Sequence, residues 1–139
     1  MVYICEFEFY RSTSGNVVAD PLSLDMEGTF GDDLADAVES AFDWLSGVVD
    51  DALIEGRGMP PETFGHEPRH GGRVIAIGVS RELGDIPAMT AADAARTLGI
   101  SRARVSQLIS SGKLDSWRDG TKRMVSRASV EARLEYQDV

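Results

Sequence analysis

Residues 2 to 10, VYICEFEFY, alternate in polarity. Tyr3, Cys5, Phe7 and Phe9 share one side, and Glu6 and Glu8 share the other. A period of two predicts a half-buried strand with its acids in solvent. Ser14-Gly15-Asn16 is a turn signal, and Val17 to Ala19 start a second strand that Pro21 ends or places at an edge. LSLDMEGTF reads as a third strand, with Leu22, Leu24 and Met26 on one side, and Gly31 opens a helix. Leu34, Val38, Ala41, Phe42, Leu45, Val48, Val49 and Ala52 then follow helical spacing, with Asp36, Glu39, Asp43 and Asp50 opposite. Asp32 and Asp33 fall in the first turn, where the helix dipole favours them. Asp50, Asp51 and Glu55 crowd the last turn, where it does not. Residues 57–72 carry Pro and Gly without periodicity and read as a loop, and RVIAIGVS (Arg73 to Ser80) reads as a closing β-branched strand. SRELGDIPAM reads as a linker.

The pattern changes after Met89. Thr90 is a good helix N-cap for an Ala-rich helix, Ala91 to Leu98, whose inner stripe is Ala92, Ala95 and Leu98. Gly99 suits the position after that helix, and Ile100 plugs the turn. Ser101 caps a second helix from Arg102 to Ser111, with Val105, Leu108 and Ile109 inward. Helix, glycine turn and helix make the helix-turn-helix pattern. Asp119-Gly120 signals a hairpin with Lys122 and Arg123 just past the turn, and Trp117 packs it onto the helices. Ser126 caps a last helix with Val130 and Leu134 inward.

Charge separates the two regions. The chain of 139 residues has a net charge of −9. Residues 1–87 hold 17 acids and five arginines, and residues 88–139 hold nine bases and six acids. An acidic unit repels phosphate and a basic one attracts it. No run of apolar residues is long enough for a membrane span. MVYICEFEFY has no basic stretch before an apolar core, which predicts a cytoplasmic chain. The single Cys5 rules out an intramolecular disulfide and reads as a buried, small apolar residue. His66 and His70 stand four apart around Glu67, but Pro68 and the neighbouring glycines oppose the helix that a zinc pair at this spacing needs. No metal or cofactor is expected, and with no nucleophile elbow or P-loop the chain is not expected to be an enzyme.

The exposed positions of the second helix are Arg102, Ala103, Ser106, Gln107 and Ser110. Arg pairs bidentately with guanine and Gln with adenine. Arg102 and Gln107 are therefore expected on bases, with Arg104, Lys122 and Arg123 on phosphates and Ser101 near the helix start. The expected partner is double-stranded operator DNA.

MTAADAARTLGISRARVSQLISSGKL, a Gly-containing wing and VSRASVEARL together resemble the winged helix-turn-helix of the MerR and excisionase type. That resemblance implies that the second helix and the wing contact DNA. YICEFEF, VVADP and GTFGDDLADAVESAFDWL resemble the N-terminal domain of HicB antitoxins. This implies a shortened ribonuclease H-like fold that is not an active nuclease, although Glu6, Glu8 and Asp20 mimic a carboxylate cluster. The segment PDLPGC, usual before that helix, is replaced by LSLDMEG. The expected architecture is α+β: a β-β-β-α-β domain at 1–80, a linker at 81–88 and a winged helix-turn-helix at 89–139. The expected function is an autoregulating antitoxin that dimerises through its N-terminal domain and neutralises a small basic RNA-cleaving toxin. The alternative is an excisionase-like regulator with no toxin.

Overall fold

A computed structural model describes residues 1–137, and the last two positions of the expected domain 89–139 lie outside the described residues. The chain divides into two compact units, one over residues 1–82 and one from residue 83 onward.

The first unit follows the order β1 (Val2–Arg11), β2 (Val17–Pro21), β3 (Thr29–Gly31), α1 (Leu34–Glu55) and β4 (Arg73–Ser80). Its sheet runs β3-β2-β1-β4, and every pair is antiparallel. Tyr3, Cys5, Phe7 and Phe9 bury their shared face under α1, as the alternation predicts. Burial pushes the Cys5 thiol above its ordinary pKa.

Four details differ from the sequence reading. The third strand is Thr29–Gly31, not the stretch after Pro21. Leu22 and Leu24 are buried from a bent segment, while Met26 stays exposed, so a spacing of two arises here without a strand. The helix starts at Leu34 rather than Gly31, because the Asp33 carboxylate accepts from the Asp36 N–H and caps it. Its inner row is Ala37, Ala41, Leu45, Val49 and Ala52. Alanine lets the helix lie close on the sheet, which leaves Leu34 and Phe42 exposed. Trp44, rather than Phe42, reaches the aromatic core, edge-on to Phe7 at 5.7 Å. Asp50 is not part of a solvated acidic face, since Arg81 grips it with two bonds of 2.8 and 2.9 Å.

The loop at residues 57–72 has the largest effect on topology. It climbs along β1 as a strap. Tyr3 Oη donates to Pro60 O at 2.9 Å, and the Ile4 N–H donates to Glu62 at 2.9 Å. Glu6 accepts from the His66 N–H at 3.0 Å and pairs with its Nδ1 at 2.6 Å. Glu8 accepts from the N–H groups of Arg69, His70 and Gly72, each at 2.9 Å. A helix returning directly from β3 would deliver β4 parallel to β1. The strap carries the chain back up first, so β4 starts opposite Phe9 and runs antiparallel. At Gly72 a Cβ would stand 2.3 Å from Phe9 O and 3.0 Å from Glu8, so only glycine permits this approach.

Glu8 corrects the expectation of solvent-facing acids on β1, because it is completely buried. Burial alone would raise its pKa, but the N–H groups of Gly72, Arg69 and His70 hold it below the usual carboxylate range. The His66 N–H and then its ring lower Glu6 in the same way. The two histidines therefore sit on different glutamates and form no pair with each other.

The second unit begins with a 3-10 turn at Leu83–Asp85 and continues with β5 (Ala88–Thr90), α2 (Ala91–Leu98) and α3 (Arg102–Ser110). It ends with β6 (Ser116–Asp119), β7 (Lys122–Ser126) and α4 (Arg127–Gln137). Its sheet order is β5-β7-β6. Ala94, Ala95, Leu98, Val105, Leu108, Leu114, Val125 and Val130 form one core. Ala94, and not Ala92, completes the buried row of α2. The stretch read as a linker is largely ordered: Arg81 holds Asp50, residues 83–85 turn, and Ala88 and Met89 pair with β7. A strand of three residues is too short to show a period, and it forms because β7 offers it an edge.

Candidate nucleic-acid interface

Capping fixes the angle between α2 and α3. Thr90 accepts from the Asp93 N–H at 3.1 Å, and Ser101 accepts from the Arg104 N–H at 3.0 Å. Between them Gly99 takes a left-handed conformation and closes α2. Ile100 packs on the core beneath the turn. α3 then buries Val105 and Leu108, with Ile109 half-buried beside them.

The opposite face of α3 lies in solvent. Ser101, Arg102, Ala103, Arg104, Ser106, Gln107 and Ser110 are all exposed. Arg104 Nη1 donates to the Gln107 side-chain oxygen at 3.2 Å. A bidentate contact from Gln107 to adenine uses the same oxygen, whose second lone pair remains open while Arg104 holds the side chain in place.

The wing has a two-residue loop, Gly120-Thr121, between the paired Asp119 and Lys122. Gly120 holds φ at 64°, while Thr121 does not have a positive φ. That is the type II′ pattern, with glycine in the first position. Trp117 is buried and pairs with Met124, but it lies beside the segment 83–88 and is not part of the helical core that the sequence reading had it pack onto. Neighbouring strand residues point to opposite faces. Lys122 therefore shares a face with Trp117 and Met124, and Arg123 shares the face of the buried Val125.

The same register places Arg118 directly opposite Arg123, a cation that the sequence reading missed. The two-residue loop was the available signal, because it pairs Arg118 with Arg123 by counting back from Gly120. Like charges directly opposite repel one another. Arg123 also donates to the Ser116 hydroxyl at 3.1 Å.

These elements meet in one concavity of about 340 Å³. Arg102 lines it from the start of α3, Thr90 and Ala91 from the start of α2, and Lys122 and Arg123 from the wing. The N-terminus of α2 beside this hollow favours an anion such as a backbone phosphate, and the wing register turns the Lys122 and Arg123 side chains to opposite faces, so that they flank it rather than meet in it. Of the residues singled out in the sequence, Arg102, Lys122 and Arg123 thus border one hollow. Arg104, Ser106, Gln107 and Ser110 lie further along the exposed face of α3.

Glu6 is engaged by His66, and both oxygens of Glu8 accept hydrogen bonds from the strap.

Residues 88–137 match a protein-family profile described as a helix-turn-helix domain. No curated protein and no solved structure matches the chain. The second unit carries a helix-turn-helix domain, here with a β-wing, and such a domain suggests a DNA-binding regulator. Among the described residues, no helix is long and apolar enough to cross a membrane.

Proposed function

We propose that the chain is a transcriptional regulator that binds double-stranded operator DNA through α3 and the wing. The observation that carries this reading is the exposed face of α3, with Arg102 at its start lining one concavity with residues of the wing and the start of α2. Arg102 and Gln107 read bases in the major groove, and Arg104, Lys122, Arg123 and Arg118 hold phosphates. Ser101, Ser106 and Ser110 supply short hydroxyls along the same face. The chain works in the cytoplasm and catalyses no reaction.

One small module reads few base pairs, so the regulator binds as a pair on a two-fold site. Self-association through the first unit is supported by Phe30, Leu34 and Phe42, large apolar residues left exposed on β3 and α1.

The finer reading is an antitoxin of the HicB kind that represses its own operon. The β-β-β-α-β order of the first unit and its acidity support this reading, since an acidic surface suits a basic RNA-cleaving toxin. The alternative is an excisionase-like regulator whose first unit only self-associates. Co-purification with the product of a small basic neighbouring gene separates the two. A 1:1 complex supports the antitoxin, and lack of association on mixing the purified proteins removes it. Binding of DNA from upstream of the chain's own gene, against a scrambled control, tests the regulator itself.

A further inference from the structure

β1 and β2 place two acids in a costly position. Glu8 and Asp20 are direct cross-strand partners, and Glu8 is completely buried. Like charges in that register destabilise a sheet unless something neutralises them. The Glu8 carboxylate is fixed by the three strap N–H groups. Asp20 is half-buried, and among the described residues no donor bonds its carboxylate.

The side chain set against the Glu8 carboxylate is that of His70. Its Nδ1 lies 3.2 Å from Glu8 Oε1, and its ring is stacked on Tyr10 with centroids 4.2 Å apart. One ligand atom each from Glu8, Asp20 and His70 lie within 4.8 Å of one another.

We propose that Glu8, Asp20 and His70 form a site for a divalent transition-metal ion of the Mn²⁺ or Zn²⁺ type. Two ligand atoms each about 2.1 Å from one ion subtend an angle of about 100° when they are 3.2 Å apart, as Glu8 Oε1 and His70 Nδ1 are. The Asp20 carboxylate has no bond to break before it turns toward the ion. Two carboxylates and one imidazole make a mixed oxygen and nitrogen set, which suits Mn²⁺ or Zn²⁺ better than a thiolate-seeking ion. Strap N–H groups on Glu8 and the Tyr10 ring on His70 supply the outer support that holds ligands in place.

Solvent reaches the site along the exposed His70 side chain, and Asp20 also lines a neighbouring open hollow of about 430 Å³ with Tyr10, Asn16 and Glu27. Water can complete the coordination from that side. The ion cancels the repulsion between Glu8 and Asp20, and it ties the strap to β1 through His70. Its role is to staple the first unit rather than to catalyse.

The test uses the full chain, stripped with chelator and titrated with MnCl₂ by electron paramagnetic resonance. A parallel series measures Tm with MnCl₂ and with ZnCl₂. The expected result is about one bound Mn²⁺ per chain and a saturable rise in Tm. Asp20→Asn and His70→Gln should each weaken Mn²⁺ binding by about tenfold or more. Asp43→Asn, which removes an exposed acid on α1, should bind as the parent does. Asp20→Asn relieves the charge repulsion without metal, so its Tm in chelator reports that it is folded. Failure of the parent to bind either ion, or equal binding by the parent, Asp20→Asn and His70→Gln, would overturn the proposal. Equal binding would mean that the ion is held by the general acidity of the surface.

Discussion

Arg118→Ala separates a DNA contact from a structural role. In the free protein Arg118 faces Arg123 across the hairpin, so its removal relieves a repulsion and should leave Tm unchanged or slightly raised. On DNA the sign reverses. With Arg102 on a base, Arg104, Arg118, Lys122 and Arg123 remain for phosphates. Each neutralised phosphate contributes about −0.9 to the slope of log K against log salt, so the slope is about −3.6 per bound domain. Between about 50 and about 200 mM salt, affinity should then fall about 150-fold. Losing one contact brings the slope to about −2.7, and the fall over the same range to about 40-fold. The assay is fluorescence anisotropy on labelled duplex at five or more salt concentrations, with circular dichroism melting of the same samples. An unchanged slope with Arg118→Ala would refute the placement of Arg118 on the DNA side of the wing. A lowered Tm would refute the claim that its cross-strand contact is repulsive.

Gln107→Ala should relax discrimination at one position of the operator and leave binding to random duplex nearly unchanged. A base-substitution panel reads this, and equal losses on operator and random DNA would sink the assignment. Cys5 is buried with a raised pKa, so at pH 8 it should resist a thiol reagent in the native protein and react once urea unfolds it. Rapid native labelling would contradict the packing of β1. Glu6 has a lowered folded pKa, so its contribution to stability is present above the ordinary glutamate value near about 4.3. That contribution disappears as pH falls through the lower folded value. Urea midpoints should therefore drop less steeply in Glu6→Gln than in the parent as pH is lowered from 5 to 3, and parallel curves would argue against the His66 clasp.

Much of the second unit could be read from residues that act locally. Thr90 and Ser101 cap helices with their own hydroxyls, Gly99 ends one through its left-handed backbone, and Asp119-Gly120 announced the hairpin. The residues named for the interface do lie exposed or in one concavity. What stayed hidden depends on distant partners. Glu8 has the spacing of a solvent-facing acid, and only the strap, some sixty positions further on, makes it the most enclosed charge of the first unit. β5 forms only against β7, and Arg118 becomes a wing cation only through the register of β6. Phe42 counted as core by hydrophobicity, but close approach of α1 to the sheet selected alanine. The direction of β4 depended on the path of residues 57–72, which local pattern does not encode.

The most direct test of the central claim is an anisotropy titration of the full chain on duplex from directly upstream of its own gene, against a scrambled duplex, at low and physiological salt. The account predicts selective binding that survives physiological salt and is lost selectively with Gln107→Ala. Weak binding, equal on both probes and abolished by salt, would contradict it, because only the sequence-independent charge attraction would then remain.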